Sequence, residues 1–235
     1  LPYTTQNVLT LAFKQQGLDN YQISTYEQFR ALTKHPVLFA YELASLYQKQ
    51  GKVEKAIDLI FGVLEVQPFA LENAKQSFAE LILTQPKNTK KLEQAVLSRL
   101  KKDPNSYLWK EVFAWLQAQN GDHSDQLKTI ISLDEEQNLQ GQQVYKWLEE
   151  QLVEDRIEPA LQAVKYLTDK PQDNKWRILA EAKSIEIKTG QLQSSFPVNA
   201  GKVNELLTLY RQFFSLHPKY SSGSMVISYA HLLAL

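Results

Sequence analysis

Few residues of this sequence are of a type that could build a reactive centre. There are four histidines, His35, His123, His217 and His231, two pairs of adjacent glutamates, Glu135–Glu136 and Glu149–Glu150, and the Gly51–Lys52 step. The histidines are widely separated, and no two have the spacing of a zinc site. Three fall at expected helix ends or turns; His35 and His217 each precede a proline, where a histidine favours the negative end of a helix dipole. Neighbouring glutamates leave a helix about 100° apart, so neither pair can face itself across a cleft as glycoside hydrolysis requires. Gly51–Lys52 lacks the glycine-rich loop that cradles a phosphate, and no serine nucleophile with a matching base is visible. With no cysteine there is no thiolate nucleophile, disulfide or thiolate metal site. No catalytic, metal or cofactor site is expected, and the chain reads as a non-enzyme.

What remains is the chemistry of recognition. The 26 basic and 26 acidic residues cancel, so no field that would gather nucleic acid or anionic lipid is indicated. Lys90–Lys91 and Lys101–Lys102 read as solvated faces. The balance of 43% hydrophobic and 22% charged residues is that of an ordinary folded chain. No run of 18 apolar residues exists, so no membrane span is expected. The chain begins at Leu1, has the single methionine Met225, and ends inside an apolar helical pattern at 225–235. It therefore reads as processed or cut down, and the absence of a signal peptide carries little information.

The elements are helices. Residues 36–68 give the strongest pattern: Phe39, Leu43, Leu46 and Tyr47 make one apolar stripe, and Ala56, Ile57, Ile60, Phe61 and Leu64 make another. Gly51 breaks the chain between them and Pro68 stops the second helix. Neither helix can bury its stripe alone, so the hairpin reads as one unit of a stack. This stretch resembles the tetratricopeptide repeat, whose unit is 34 residues, through Leu43, Ala44, Tyr47, Gly51, Ala56, Ile60 and Pro68, with Phe39 near the early aromatic position. Val63 fills the second small position, with Gly62 beside it. The resemblance implies an all-α fold, an alpha-alpha superhelix of antiparallel helix pairs stacked as a right-handed solenoid.

Other registers agree with it. Pro104 lies 36 residues after Pro68, Gly121 lies 70 after Gly51, and Ala160 lies 104 after Ala56. Helices are expected at 5–16, 24–34, 71–83, 91–101, 107–119, 124–134, 142–152, 158–168, 174–188, 202–217 and 225–235. Leu18 to Ile23 reads as a linker, Ser24 or Thr25 as a cap for the helix that follows, and Gln191 to Ala200 as an inserted loop after a helix ended by Gly190. Pro86–Lys87–Asn88 replaces the central glycine of the second unit, Asp155 replaces that of a later one, and Gln126 stands where Ala56 does. Residues 1–36 are expected to be a divergent helical pair or cap, and 37–235 a repeat array truncated at its C-terminal end. The last helix, without a partner, would cap the fragment or pair with a second copy. More weakly, Glu42 to Pro68, Asn73–Ala74–Lys75, Trp115–Leu116 and Leu133–Asp134 resemble long tetratricopeptide proteins of Bacteroidetes-type bacteria, which implies a periplasmic or cell-surface location.

In a tetratricopeptide stack the first helix of each pair lines the concave face. The exposed positions this implies are Leu38, Tyr41, Ser45 and Gln48; Leu108, Glu111, Trp115 and Ala118; and Gln142, Tyr145, Glu149 and Leu152. Tyr41, Trp115 and Tyr145 would point into one groove suited to an extended or helical peptide, or else fill gaps between units. Gln48 would supply a polar contact, and Glu111 and Glu149 a mild preference for basic ligands. Trp109, Phe113 and Trp147 read as core. The expected function is a non-enzymatic scaffold for a protein or peptide. The alternative is a structural spacer or assembly arm, with a homo-oligomer formed through the C-terminal helix.

Overall fold

The fold was obtained as a computed structural model. The structure describes residues 3–194, 197 and 199–234, with side chains from residue 8 onward. Among the described residues the secondary structure is all helical, with no strand. The chain divides into two compact units, the first ending at Leu116 and the second starting at Gln117. The first holds α1 (Tyr3–Gln15), α2 (Asp19–Thr33), α3 (Ala40–Lys49), α4 (Val53–Val66), α5 (Leu71–Thr84), α6 (Asn88–Lys102) and most of α7 (Tyr107–Gln119). The second holds α8 (His123–Glu136), α9 (Gln142–Val153), α10 (Ile157–Thr168), α11 (Lys175–Gln193), α12 (Ala200–Leu216) and α13 (Gly223–Leu233).

Short connections force neighbouring helices to run antiparallel. In the first unit α1 packs on α2, α2 on α3, α3 on α4, α4 on α5 and α5 on α6; α4 also touches α6. In the second, each helix from α8 to α13 packs on the next, and α10 reaches α8 while α11 reaches α9. Contacts between helices two apart are what stacking of successive hairpins requires.

The α3–α4 hairpin shows why the pattern folds this way. Leu43, Ala56, Phe61 and Leu64 are fully buried, and Ala44 nearly so; each large side chain contributes about 1.5–3 kcal/mol on burial. The two alanines let the helices approach. Gly51 has φ +73° with open space where a Cβ would be, so it is needed for its conformation and not for room. Asp155 adopts the same left-handed conformation, φ 55°, as a residue type that tolerates it. Phe39 also has a positive φ, 55°, just ahead of α3. It is held there by its ring, 4.6 Å from that of Tyr26 and 5.8 Å from that of Phe29.

Three expectations change. Helix α2 begins at Asp19, so Leu18 to Ile23 is no linker: Ile23 is buried, and the buried Gln22 amide donates to the Thr10 carbonyl at 2.9 Å. Ser24 and Thr25 are therefore no caps; the Thr25 hydroxyl donates to the Tyr21 carbonyl one turn back. Helix α11 runs through Gly190 to Gln193. Burial of Leu192 against α12 residues such as Val203 outweighs the roughly 1 kcal/mol that a mid-helix glycine costs. The inserted loop is thereby shorter than Gln191 to Ala200, and Ser195, Phe196 and Val198 lie outside the described residues.

The last helix does find cover. Met225 and Leu232 of α13 are buried, and Tyr229 packs on Tyr210 and Phe214 of α12 with ring centroids 5.9 and 5.7 Å apart. Val226, Ile227 and Leu233 face solvent. Among the described residues no helix is long and apolar enough to cross a membrane.

Candidate binding surface

In the first unit the candidate residues are organised by α5. The Gln48 amide donates to Thr84 Oγ1 at 2.7 Å, and Thr84 in turn donates to the Glu80 carbonyl at 2.8 Å. This ties α3 to α5. Trp115 of α7 is half-buried, its ring 6.3 Å from that of Phe78 on α5. Glu111 lies 3.8 Å from Lys75 of α5, which also bonds Glu72 at 2.8 Å. The charge of Glu111 is therefore partly offset, and the basic-ligand preference expected of it is weakened.

Tyr41 stands apart from this set. It is half-buried and packs beside Ala40, Val63 and Ala70. Its hydroxyl is buried with no hydrogen-bond partner among the described residues, and burial raises its pKa.

In the second unit Tyr145 is only 7% exposed. Its ring is covered by Trp176 of α11, 5.4 Å away, so it packs as core and does not stand open in a groove. Its hydroxyl bonds the Glu149 carboxylate. Burial first, then the charge and hydrogen bond of Glu149 and the charge of Glu186, push the Tyr145 pKa far up. Glu149 itself is exposed. It walls a cleft of about 480 Å³ with Lys146, Glu150, Gln151, Glu154 and Arg156, a mixed-charge surface suited to a polar segment of a partner.

A larger concavity of about 670 Å³ lies between the α8–α9 and α10–α11 connections. Its polar groups are largely stitched to one another. The Tyr166 hydroxyl donates to Glu135 at 2.9 Å, Lys170 donates to the Tyr166 oxygen at 2.7 Å, and the Asn174 amide donates to the Gln140 carbonyl at 2.9 Å. Burial and Glu135 raise the Tyr166 pKa. This network braces two hairpins against each other.

The core aromatics lie as expected. Trp109 and Trp147 are buried, and Phe113 is partly so. The sequence reading did not assign Lys75, Phe78 and Thr84 to the surface, although these α5 residues contact Glu111, Trp115 and Gln48. Lys75 precedes Glu111 by 36 residues, the same interval as Pro68 to Pro104. That register was a usable signal. Among the described residues no group of three or more His, Asp or Glu could hold a metal ion. The arrangement offers non-covalent contacts: a partly open indole, an amide, and balanced charges on braced helices.

No family model and no curated relative matches the chain. Among solved structures it is similar to a tetratricopeptide repeat protein from Parabacteroides merdae, at 15% identity and a TM-score of 0.37, over 99% of this chain and 85% of that one. The helical hairpins described above, and not this likeness, carry the fold.

Proposed function

We propose that this protein is a non-enzymatic scaffold that binds a protein or peptide through the first helices of its tetratricopeptide-like pairs. The observation that carries this reading is the bracing of α3 and α7 on α5 through Gln48–Thr84, Glu111–Lys75 and Trp115–Phe78. It holds a partly exposed indole and polar groups in fixed positions, and preorganisation of this kind lowers the cost of binding. In the second unit Glu149 supplies the exposed contact and Tyr145 positions it. Tyr41 serves as packing at the edge of the surface. The resemblance to long bacterial repeat proteins favours the periplasm or cell surface as the place where it works.

The test is crosslinking capture from the native organism, comparing the wild type with Trp115→Ala/Glu111→Lys and with Glu149→Lys. Loss of a specific captured species, with the melting temperature kept, supports the reading. An unchanged captured set from folded variants overturns it.

A second reading, a spacer or assembly arm, is favoured by the exposed Val226, Ile227 and Leu233 of α13. Concentration-dependent sedimentation that Ile227→Asp abolishes would support it. A concentration-independent monomer would exclude assembly through this helix.

A further inference from the structure

Gly62 sits within α4, where glycine weakens a helix relative to alanine, and no contact among the described residues requires it. A Cβ built on it would meet no atom within 4 Å, and its φ is not in the left-handed range. It borders a cleft of about 350 Å³ between α2 and α4. Glu27 and Arg30 form one wall, and Lys55, Asp58, Leu59 and Gly62 form the other, with Tyr47 of α3 also lining the cleft. The four α4 residues recur at helical steps and share one face. That face continues to the exposed Val66, and Phe69, in the turn after α4, is 86% exposed.

The carboxylates of the cleft are already opposed. Glu27 accepts a hydrogen bond from the Tyr47 hydroxyl, and Asp58 lies 3.7 Å from Arg99. The ammonium groups of Lys52 and Lys55 instead lie over the Tyr47 ring, 5.7 and 5.2 Å from its centroid. Lys52 also donates to the Gln50 side-chain oxygen at 2.8 Å. Arg30 donates to the Pro36 carbonyl and already faces the Glu27 charge, so Lys52 and Lys55 are the cations left for a partner.

We propose that this cleft is a docking surface for an amphipathic helix of a partner protein, one that lays its apolar side along Leu59, Gly62 and Val66 and sets acidic residues against Lys52 and Lys55. Gly62 is the point of closest approach, because the missing Cβ lets a partner side chain reach the α4 backbone. The lysines select the sign of the partner's flanks and speed the encounter. The surface does not use Gln48, Glu111 or Trp115, so it stands or falls apart from the binding surface proposed above.

The test uses the full chain and two labelled synthetic peptides of about 20 residues, long enough to hold a helix. Both carry the same leucine and alanine face, flanked by glutamate in one and by lysine in the other, and binding is read by fluorescence anisotropy. The glutamate-flanked peptide should bind at least about tenfold more tightly than the lysine-flanked one and weaken with added salt. Gly62→Ala should raise the melting temperature by about 2–4 °C while weakening the peptide. Gly62→Leu, which fills the cleft, and Lys55→Glu should each weaken it by about tenfold or more, and Trp115→Ala should leave it unchanged. Equal binding of the two peptides, or wild-type binding by a folded Gly62→Leu variant, would overturn the proposal.

Discussion

The Asp134 carboxylate accepts a hydrogen bond from the Gly141 backbone N–H at 2.6 Å, and its other oxygen accepts one from Gln143 at 2.9 Å. Donors left over at the start of α9 are thus satisfied by a fully buried side chain of α8. Gly141 has φ +107°, and a Cβ there would lie 2.7 Å from Leu167. Asp134→Ala removes the acceptor of one buried and one partly buried donor and should cost about 2–4 kcal/mol. Gly141→Ala adds backbone strain to a clash and should cost about 2 kcal/mol or more. Denaturant melts measure both, and an Asp134→Ala midpoint equal to wild type would show that the cap holds nothing.

Alkaline pH should destabilise the first unit through Tyr47. Burial, the hydrogen bond to Glu27 and the Glu27 charge raise its pKa from 10.0 to about 12, with Arg30 opposing. The folded state holds the phenol proton more tightly than the unfolded one. The stabilisation is therefore fully present below pH 10 and is lost as pH rises through about 12. Thermal melts across that window should fall more steeply for wild type than for Tyr47→Phe. Parallel curves for the two proteins would remove Tyr47 as the cause.

Two tyrosine hydroxyls should behave in opposite ways. The Tyr41 hydroxyl is buried with no partner among the described residues, so Tyr41→Phe should be neutral or stabilising by up to about 1 kcal/mol. Tyr210 pairs with Thr189 at 3.0 Å in a buried site, so Tyr210→Phe should cost about 1 kcal/mol. Equal effects in chemical denaturation would contradict the difference in pairing.

Arg99 spans two kinds of partner, aromatic rings and carboxylates. Its guanidinium lies 4.1 Å from the Phe61 ring centroid and 5.3 Å from that of Trp109. It also meets Glu65 at 3.0 Å and Asp58 at 3.7 Å. Lysine keeps the charge but loses the planar fork. Arg99→Lys should therefore cost about 1 kcal/mol, most of it retained in high salt because stacking is screened less than surface pairing. A loss that vanishes in salt would assign the effect to the carboxylates alone.

Some of this was readable in the sequence and some was not. Helix α7 has the bounds its pattern predicts, Tyr107–Gln119, because Gly121 follows it with a positive φ and its apolar spacing is regular. The start of α2 was hidden because the residue that places its first turn against α1 is Gln22, a polar side chain that hydropathy counts as exposed. Gly190 misled because local propensity says nothing of Leu192 finding cover on α12. At the candidate surface, the offsets name Gln48, Glu111 and Trp115 but not the α5 residues they contact. The α5–α6 pair carries Pro86–Lys87–Asn88 in place of its glycine, and although the Pro68 to Pro104 spacing gives its register, the concave-face offsets are read only from the units at 37, 107 and 141. Tyr145 shares the offset of Tyr41 and Glu111 yet is buried, because Trp176 arrives from the next hairpin. The bare backbone of Gly141 makes room for Leu167 of α10, which a methyl drawn there would meet at 2.7 Å.

Helix α11 has 19 residues and α12 has 17, against 12 each in α9 and α10. At 1.5 Å per residue α11 is longer than α9 by about 10 Å and α12 by about 8 Å. Leu192 and Val203 in the added turns share one cluster, so the extension brings its own oily filling and asks nothing of the layer beneath. A hairpin can thus be longer than its neighbours in the series while the packing between α9 and α10 stays as it is.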